Sequence, residues 1–267
     1  DILIVCQDWP YLHTAVNLPR LDRTQTAVIG NTPTDGVPIF QQWLASVPQF
    51  DALFTISRFG VEAFRHAGVV DRWKQPVGLL LPGVDATQFY PPTTEERAAL
   101  RHQVGIDPDA VVLGAWMANQ GRKCWPDVLE LFGRYRRFVP DAVLIADCDR
   151  ESPAGWPLPI LAAQVATDRH LAPFADAIRY RDELAAKGLT NLRDRYALAD
   201  IALQLAYREG YGLPIAEAQA CHVLTLSQAY CSGTELCGDG RGLLCHSKLP
   251  GRYGTWGNAR DHDPDID

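Results

Sequence analysis

The amino-acid sequence predicts an α/β protein whose sheets are mostly parallel. Nine short runs are apolar and often β-branched, and several of them are apolar throughout instead of alternating with polar residues. Strands of this kind are typical of parallel sheets that are covered on both faces. Stretches with the apolar spacing of amphipathic helices lie between them. This alternation of strand and helix predicts right-handed crossover connections.

The elements follow one another along the chain. The predicted strands are Ile2–Cys6, Thr26–Ile29, Ala52–Ile56, Gly78–Leu81, Val111–Trp116, Ala142–Ala146, Ile201–Leu205, Val223–Leu226 and Gly242–Cys245. The predicted helices are Glu95–Val104, Trp125–Phe138, Leu192–Ala199 and Ile215–Cys221. The segment from Glu151 to Pro159 is rich in proline, which predicts a surface loop. The stretch from Pro250 onward has no periodicity, and we expect it to be poorly ordered.

A domain boundary is predicted near residues 82–94. Pro82 and Gly83 end one strand, and the pair Pro91-Pro92 then interrupts the chain before a helix. Two consecutive prolines do not fit inside a helix or a central strand. The chain is therefore divided into residues 1–90 and residues 91–267.

Composition excludes two classes of protein. The 267 residues, 47% hydrophobic and 21% charged, are typical of one or two globular domains. The net charge of −7 argues against a nucleic-acid binder, which needs a basic face to neutralise phosphates. No apolar run approaches the roughly 20 residues that a membrane-spanning helix requires.

The seven cysteines are interpreted as free thiols. No pair has the CxxC spacing of a zinc ribbon or a thioredoxin-type motif. Free thiols are typical of a reducing compartment, which predicts a cytoplasmic location. An alternative is a zinc-stabilised interaction domain, because a group of ligand types crowds into the end of the chain: Cys221, His222, Cys231, Cys237, Cys245 and His246.

The strongest chemical signal is the segment Arg208–Ala218, which follows the strand Ile201–Leu205. Two glycines form a loop, and Pro214 suits a first helical position because its missing N–H would be unpaired there. A helix that starts at the carboxyl edge of a parallel sheet presents free N–H groups, which bind anions. The glycines allow the backbone to approach a ligand closely.

Two glutamates flank this turn. Glu209 precedes the helix and Glu217 lies about one turn into it, so that both can face one cavity. Carboxylates accept hydrogen bonds from hydroxyl pairs, whereas the helix start binds phosphate. Together they predict a site for a sugar nucleotide. The alternative is a capped helix with two solvated glutamates.

The spacing from Glu209 to Glu217 resembles the E-x7-E signature of glycosyltransferase family 4, the group 1 glycosyltransferases of the GT-B fold. Further segments resemble this family in the same order along the chain: 51–60, Leu81–Asp85 with Phe89 and Pro91, 197–200, Gly233-Thr234-Glu235 and 242–244. The resemblance implies two Rossmann-like domains, an incomplete acceptor-side domain at 1–90 and a nucleotide-sugar-binding domain at 91–267. It therefore implies a partial chain.

The resemblance also implies roles for particular residues. Glu209 matches the glutamate that contacts the donor sugar, and Glu217 matches the one that contacts the nucleotide ribose. Lys123 matches the lysine that binds the donor diphosphate. The family's arginine is replaced by Ala115, and Arg122 is expected to take its role. The remaining donor-binding candidates are Gly210, Tyr211, Gly212, Leu213, Asn119 and Thr234.

The implied function is that of a retaining glycosyltransferase, which moves a sugar from a nucleotide-diphosphate sugar to a hydroxyl acceptor in polysaccharide biosynthesis. The acceptor is expected to be a carbohydrate or a lipid-linked one, and peripheral membrane contact is compatible with the family. No cofactor or metal is expected, since cationic side chains can stabilise the leaving phosphate. Asp147-Cys148-Asp149 has a metal-binding spacing but is interpreted as a strand end. The alternative is a non-catalytic nucleotide-binding module or an inactive fragment.

Asp35 is a further candidate on the N-terminal side. It lies in the segment Asn31–Gly36, which is interpreted as a simple turn, with contact to a donor or acceptor sugar as the alternative.

Overall fold

The computed structural model describes residues 1–19, 21–39, 41–73 and 77–246. The stretch from Pro250 lies outside these residues. The described chain forms two parallel sheets, and the first has the strand order β1-β2-β3-β4. Its strands are β1 (Ile2–Cys6), β2 (Ala27–Thr32), β3 (Ala52–Thr55) and β4 (Val77–Leu79).

The second sheet has six strands in the order β10-β9-β8-β5-β6-β7, all parallel. They are β5 (Val112–Ala115), β6 (Val143–Ala146), β7 (Ile178–Tyr180), β8 (Ile201–Gln204), β9 (Leu224–Gln228) and β10 (Leu243–Cys245). This order places β5 beside β8 at the centre of the sheet, so the loops after these two strands meet at its carboxyl edge.

Helices connect the strands of both sheets. In the first part of the chain they are α1 (Trp9–Val16), α2 (Gln41–Leu44), α3 (Arg58–His66) and α4 (Val69–Trp73). In the second part they are α5 (Thr94–Val104), α6 (Trp125–Tyr135), α7 (Leu158–Asp168), α8 (Arg181–Ala186), α9 (Leu192–Ala197), α10 (Leu213–Ala220) and α11 (Ser232–Cys237).

The second sheet is covered on both faces. Its strands β5 and β6 are buried at every position. One cluster of buried side chains includes Leu113, Trp125 and Phe132, and a second, on the other face, includes Val112, Trp116 and Tyr196. The uninterrupted apolar sequences of these strands are therefore explained by burial on both faces of the sheet, as predicted.

The first sheet differs from the prediction of cover on both faces. Leu12, Leu53 and Phe64 belong to the one core cluster that packs against it. Along β1, alternate side chains are exposed, and Ile2 and Ile4 are 70% and 61% accessible. The continuous apolar sequence of β1 thus does not reflect burial on two faces in the described structure.

The nine predicted strands are confirmed with ends shifted by a few residues, and four predicted helices are confirmed likewise. One strand, β7, was not predicted, because it is short and Arg179 interrupts its apolar sequence. The predicted loop 151–159 is wrong at its end: α7 starts at Leu158, and Pro159 sits in its first turn, where its missing N–H is tolerated.

Candidate active site

The segment after β8 builds one wall of the cleft between the two sheets. Gly212 has a φ of +90° and caps α10, whose first residue is Leu213. The sequence predicts Pro214 at the first helical position, but the helix begins one residue earlier, so Pro214 is the second helical residue. A side chain at 212 would be strained by this φ and would also come within 3.1 Å of Ile215.

The cleft holds a cavity of about 620 Å³. The second part of the chain contributes Gln120, Arg122, Lys123 and the continuous segment from Glu209 to Pro214. The first part contributes Asp8, Tyr11, Pro33, Thr34, Asp35, Gly36, Ile39, Trp43, Ile56 and Pro82. The structure therefore brings seven of the ten candidate residues together, on one wall of this cavity.

Glu209 lies at the centre of a polar cluster. Its Oε2 accepts hydrogen bonds from Lys123 Nζ and, at 2.7 Å, from Gln204 Nε2. The nearest guanidinium nitrogen of Arg122 is 4.0 Å from the same oxygen. The backbone carbonyl of Glu209 accepts a hydrogen bond of 2.9 Å from Ser232 Oγ. The glutamate is thus held both by its side chain and by its backbone.

Lys123 is buried and Arg122 is partly exposed, with side-chain accessibilities of 8% and 39%. Burial lowers the pKa of the Lys123 ammonium; the nearby Arg122 lowers it further, whereas Glu209 opposes the shift. Arg122 Nη1 donates to the carbonyl of Arg208 at 2.7 Å. The amide of Tyr207 donates to the carbonyl of Arg122 at 2.9 Å, so the two loops are joined on both sides.

Glu217 lines a neighbouring cavity of about 440 Å³ instead of the one that holds Glu209. It lies in the second turn of α10, and Gln120 and Pro214 line both cavities. The expectation that both glutamates face one cavity is therefore wrong in its detail: they face two adjoining ones. A helix turn separates them, because α10 begins between the two residues.

The environment of Glu217 is aromatic. Its Oε2 accepts a hydrogen bond of 2.8 Å from the hydroxyl of Tyr196. Burial, and then the charge of Glu217, raises the pKa of this tyrosine. The ring of Tyr196 packs on Trp116 with the centroids 4.2 Å apart. The second cavity is thus lined by two aromatic side chains and a carboxylate.

Two donor-binding candidates have other contacts. Asn119 lines the second cavity, but its amide donates to the carbonyls of Asp149 and Trp156 and accepts from the amide of Trp156. Every polar group of this side chain thus holds the 149–156 loop. Thr234 is exposed, donates to the carbonyl of Cys231 at 2.8 Å and lines neither cavity.

The two walls of the cleft also touch each other directly. The carboxylate of Glu235 accepts hydrogen bonds from the backbone amides of Arg58 and Phe59, at 2.9 and 2.6 Å. These amides open α3 of the first sheet, whose free N–H groups attract negative charge. Phe59 and Tyr230 pack edge to face with their centroids 5.6 Å apart. The cleft is therefore closed at this edge by polar and aromatic contacts.

Asp35 lies in an irregular segment after β2 and faces the first cavity. Its carbonyl accepts a hydrogen bond of 3.3 Å from the thiol of Cys231. The backbone at Asp35 is irregular, with a bend beginning at the next residue, and contact between Asp35 and a sugar stays a prediction.

The candidate metal-binding sets are not assembled. Asp147 forms a buried ion pair with Arg195 and follows β6, as its interpretation as a strand end requires. The seven cysteines are free thiols, all but Cys6 and Cys245 buried. In the described part of the chain, no three His, Cys, Asp or Glu side chains are placed to hold a metal ion.

Sequence reasoning missed Gln204, Tyr196 and Glu235. Gln204 had a signal, since it is the one polar residue in an apolar strand and stands at its carboxyl end. Glu235 belongs to the family-like segment Gly233-Thr234-Glu235, but its contacts had no local signal because its partners lie 177 and 176 residues away.

No protein-family model matches the chain. The chain is 34% identical over 187 residues to D-inositol 3-phosphate glycosyltransferase 2 of Catenulispora acidiphila, covering 67% of this chain and 41% of that protein. It is 30% identical over 250 residues to the D-inositol 3-phosphate glycosyltransferase of Mycolicibacterium gilvum, covering 92% of this chain and 52% of that protein. The chain thus spans about half the length of the relatives it matches.

Solved structures share the architecture. A sucrose-phosphate synthase from Thermosynechococcus elongatus matches with a TM-score of 0.68 and 17% identity, covering 92% of this chain and 61% of that one. The Anabaena protein HepE, solved in complex with UDP and glucose, matches with a TM-score of 0.65 and 16% identity, covering 84% and 59%. At such identities the likeness shows the fold alone.

The chain therefore has the GT-B fold of two parallel-sheet α/β units facing a cleft. Its resemblance to the group 1 glycosyltransferases, over part of their length, is confirmed by the relatives above. Among the residues that the structure describes, every helix is too short or too polar to cross a membrane.

Proposed function

We propose that this chain carries the donor site of a retaining glycosyltransferase, which moves a sugar from a nucleotide-diphosphate sugar to a hydroxyl acceptor. The observation that carries the proposal is the cluster of Glu209, Lys123 and Arg122 at the start of α10, inside the cleft. A carboxylate that binds hydroxyls beside cations that bind phosphate suits a sugar diphosphate. The names of the relatives, and the UDP and glucose held by HepE, agree with this class of substrate.

The reaction breaks the bond between the sugar C1 and the β-phosphate oxygen and forms a bond from C1 to the acceptor oxygen. The leaving diphosphate gains negative charge, and it takes up the proton that the acceptor hydroxyl releases. Lys123, Arg122 and the start of α10 stabilise that charge as it develops. Glu209 holds the sugar hydroxyls, which keeps C1 in a reactive orientation.

The nucleoside occupies the second cavity in this proposal. Glu217 accepts hydrogen bonds from the ribose hydroxyls, and the hydroxyl of Tyr196 orients its carboxylate. Gln120 and Pro214 line both cavities, so the diphosphate bridges them there. Trp116 and Tyr196 also line this cavity, beside the position proposed for the ribose.

The acceptor occupies the part of the first cavity that belongs to the first sheet. Trp43 and Tyr11 provide aromatic surface, and Asp8 and Asp35 provide carboxylates that accept hydrogen bonds from hydroxyls. This combination favours a carbohydrate acceptor, free or linked to a lipid, as in polysaccharide biosynthesis. Among the described lining residues of this part, none is a cation that would bind a phosphorylated acceptor.

We infer that catalysis needs no metal ion, since Lys123 and Arg122 stand where the diphosphate charge develops. Transfer is then expected to continue in the presence of a chelator. We also infer a cytoplasmic location, which the seven free thiols support.

The test compares Glu209→Ala with the parent chain. Transfer or donor hydrolysis is measured with UDP-glucose, ADP-glucose and GDP-mannose, and binding of UDP, ADP and GDP is measured by calorimetry. Glu62→Ala is the matched control, because Glu62 is an exposed glutamate that pairs only within α3. We expect Glu209→Ala to lose turnover and keep nucleotide binding.

Each other outcome has a defined meaning. Unchanged turnover in Glu209→Ala would refute the role of this glutamate. Nucleotide binding without any turnover in the parent chain would favour the alternative, a non-catalytic nucleotide-binding module. A parent chain that binds no nucleotide would contradict both.

A further inference from the structure

Gln204 is a polar residue in a place where packing alone would favour an apolar one. It ends the buried strand β8, its neighbours Leu203 and Leu205 belong to the core, and it is 4% accessible. A buried amide is unfavourable unless its polar atoms are paired. Its Nε2 donates to Glu209, but its Oε1 is buried and has no hydrogen-bond partner among the described residues. The side chain of Gln204 therefore has one polar contact, and that contact is with the glutamate at the centre of the cluster.

The hydrogen bonds of Glu209 are unevenly distributed over its carboxylate. Both donors, Gln204 Nε2 and Lys123 Nζ, contact Oε2, and the guanidinium of Arg122 is also nearest to that oxygen. A carboxylate oxygen accepts about two hydrogen bonds. Oε2 is thus saturated by the protein, which leaves Oε1 for a ligand hydroxyl.

Lys123 faces two demands if the proposed function holds. In the structure its ammonium pairs with Glu209, whereas in the reaction it has to neutralise the leaving diphosphate. A lysine that turns towards phosphate weakens its hold on the carboxylate. Gln204 is neutral and belongs to a rigid strand, so its hydrogen bond to Glu209 persists when the lysine moves.

We propose that Gln204 is a positioning residue for sugar transfer: it holds Glu209 through Oε2, so that Oε1 faces the donor sugar while Lys123 serves the diphosphate. The inference rests on the proposed function. Gln204 itself lines neither cavity and touches no substrate. A substitution of Gln204 should therefore weaken the affinity for the nucleotide sugar and leave the affinity for the nucleotide alone unchanged.

The experiment separates those two effects. Gln204→Met keeps the length of the side chain and removes the donor, and Gln204→Glu keeps the shape but places a carboxylate against Glu209. Gln103→Met is the matched control, because Gln103 also donates one hydrogen bond of 2.7 Å through Nε2 but is exposed on α5. Calorimetry gives the Kd of UDP and of UDP-glucose, with the ADP and GDP pairs run in parallel, and donor hydrolysis gives kcat and KM.

We expect both variants at 204 to bind the nucleoside diphosphate within about twofold of the parent chain. Their affinity for the matching nucleotide sugar should fall roughly tenfold or more, and kcat should fall with it, because a hydrogen bond to a charged group is lost. Gln103→Met should change neither value.

Two results would overturn the inference. One is an unchanged ratio of nucleotide-sugar to nucleotide affinity in both variants. The other is an equal loss of both affinities, which would indicate that Gln204 only supports the fold. A parent chain that binds no nucleotide would instead contradict the proposed function, and a thermal unfolding midpoint for each variant identifies any that fails to fold.

Discussion

Glu235 offers a direct test of how the cleft is held closed. The change Glu235→Ala removes a carboxylate that accepts hydrogen bonds from the amides of Arg58 and Phe59, at 2.9 and 2.6 Å. A hydrogen bond to a charged group contributes about 1.5–3 kcal/mol, and a charge at a helix start about 0.3–1 kcal/mol. Because Glu235 is partly exposed, we expect a combined loss of about 1–3 kcal/mol.

This loss should act on the contact between the two sheets and not on α3 itself. The Ser57 hydroxyl still caps that helix by accepting from the amide of Gly60 at 3.0 Å. A loss of about 1–3 kcal/mol shifts the balance between closed and open clefts by roughly 5- to 150-fold. The amides of Arg58 and Phe59 should therefore exchange with solvent faster, and nucleotide-sugar affinity should weaken.

Hydrogen exchange at the two amides, small-angle scattering and calorimetry with UDP-glucose are the assays. Glu235→Gln is the control, since its amide keeps one acceptor oxygen and should give an intermediate result. Unchanged exchange at Arg58 and Phe59 together with an unchanged radius of gyration would refute the reasoning, because the carboxylate would then not couple the sheets.

Three further results are expected. Lys123→Met should lower kcat roughly ten- to hundredfold through the loss of one charge-assisted contact to the leaving phosphate, whereas an unchanged kcat would remove the lysine from the mechanism. Burial lowers the pKa of Lys123, so the protonated form that binds phosphate is lost at a lower pH than for an exposed lysine. Calorimetry should therefore find that the affinity for UDP already falls at pH values below the ordinary lysine pKa of about 10.4. A UDP affinity that stays constant as the pH is raised to that value would contradict this prediction. Arg195→Met leaves the buried carboxylate of Asp147 unpaired and should cost about 3–5 kcal/mol in urea unfolding, and adding Asp147→Leu should restore part of it.

Much of the fold and one wall of the site could be predicted because their causes are local. The β-branched apolar runs specify the strands, and Gly212 with Pro214 specifies where α10 begins. The spacing of Glu209 and Glu217 around that helix start also needs no tertiary information. The one-residue error in the helix start belongs to the end of an element, where local signals are weakest. The missed strand β7 has only three residues, and the central one is an arginine.

The partners of these residues could not be predicted in the same way. Lys123 and Glu209 are 86 residues apart, and they meet because β5 and β8 are neighbours in the sheet. Asn119 is a candidate for binding the donor, but its side-chain amide hydrogen-bonds to a loop that begins 30 residues later. Composition and periodicity describe neighbours along the chain, and neither reports which loops share an edge.

The sequence by itself determined the α/β class, the parallel strands and the helix start that follows Glu209, because each depends on residues within about one element of one another. Only the tertiary structure decided that Gln204 and Lys123 share one oxygen of that glutamate, that Glu217 faces a separate cavity, and that Glu235 joins the two walls of the cleft. The physical reason is that a hydrogen bond acts over about 3 Å. Its partners are therefore set by the order in which strands pack, which no local pattern encodes.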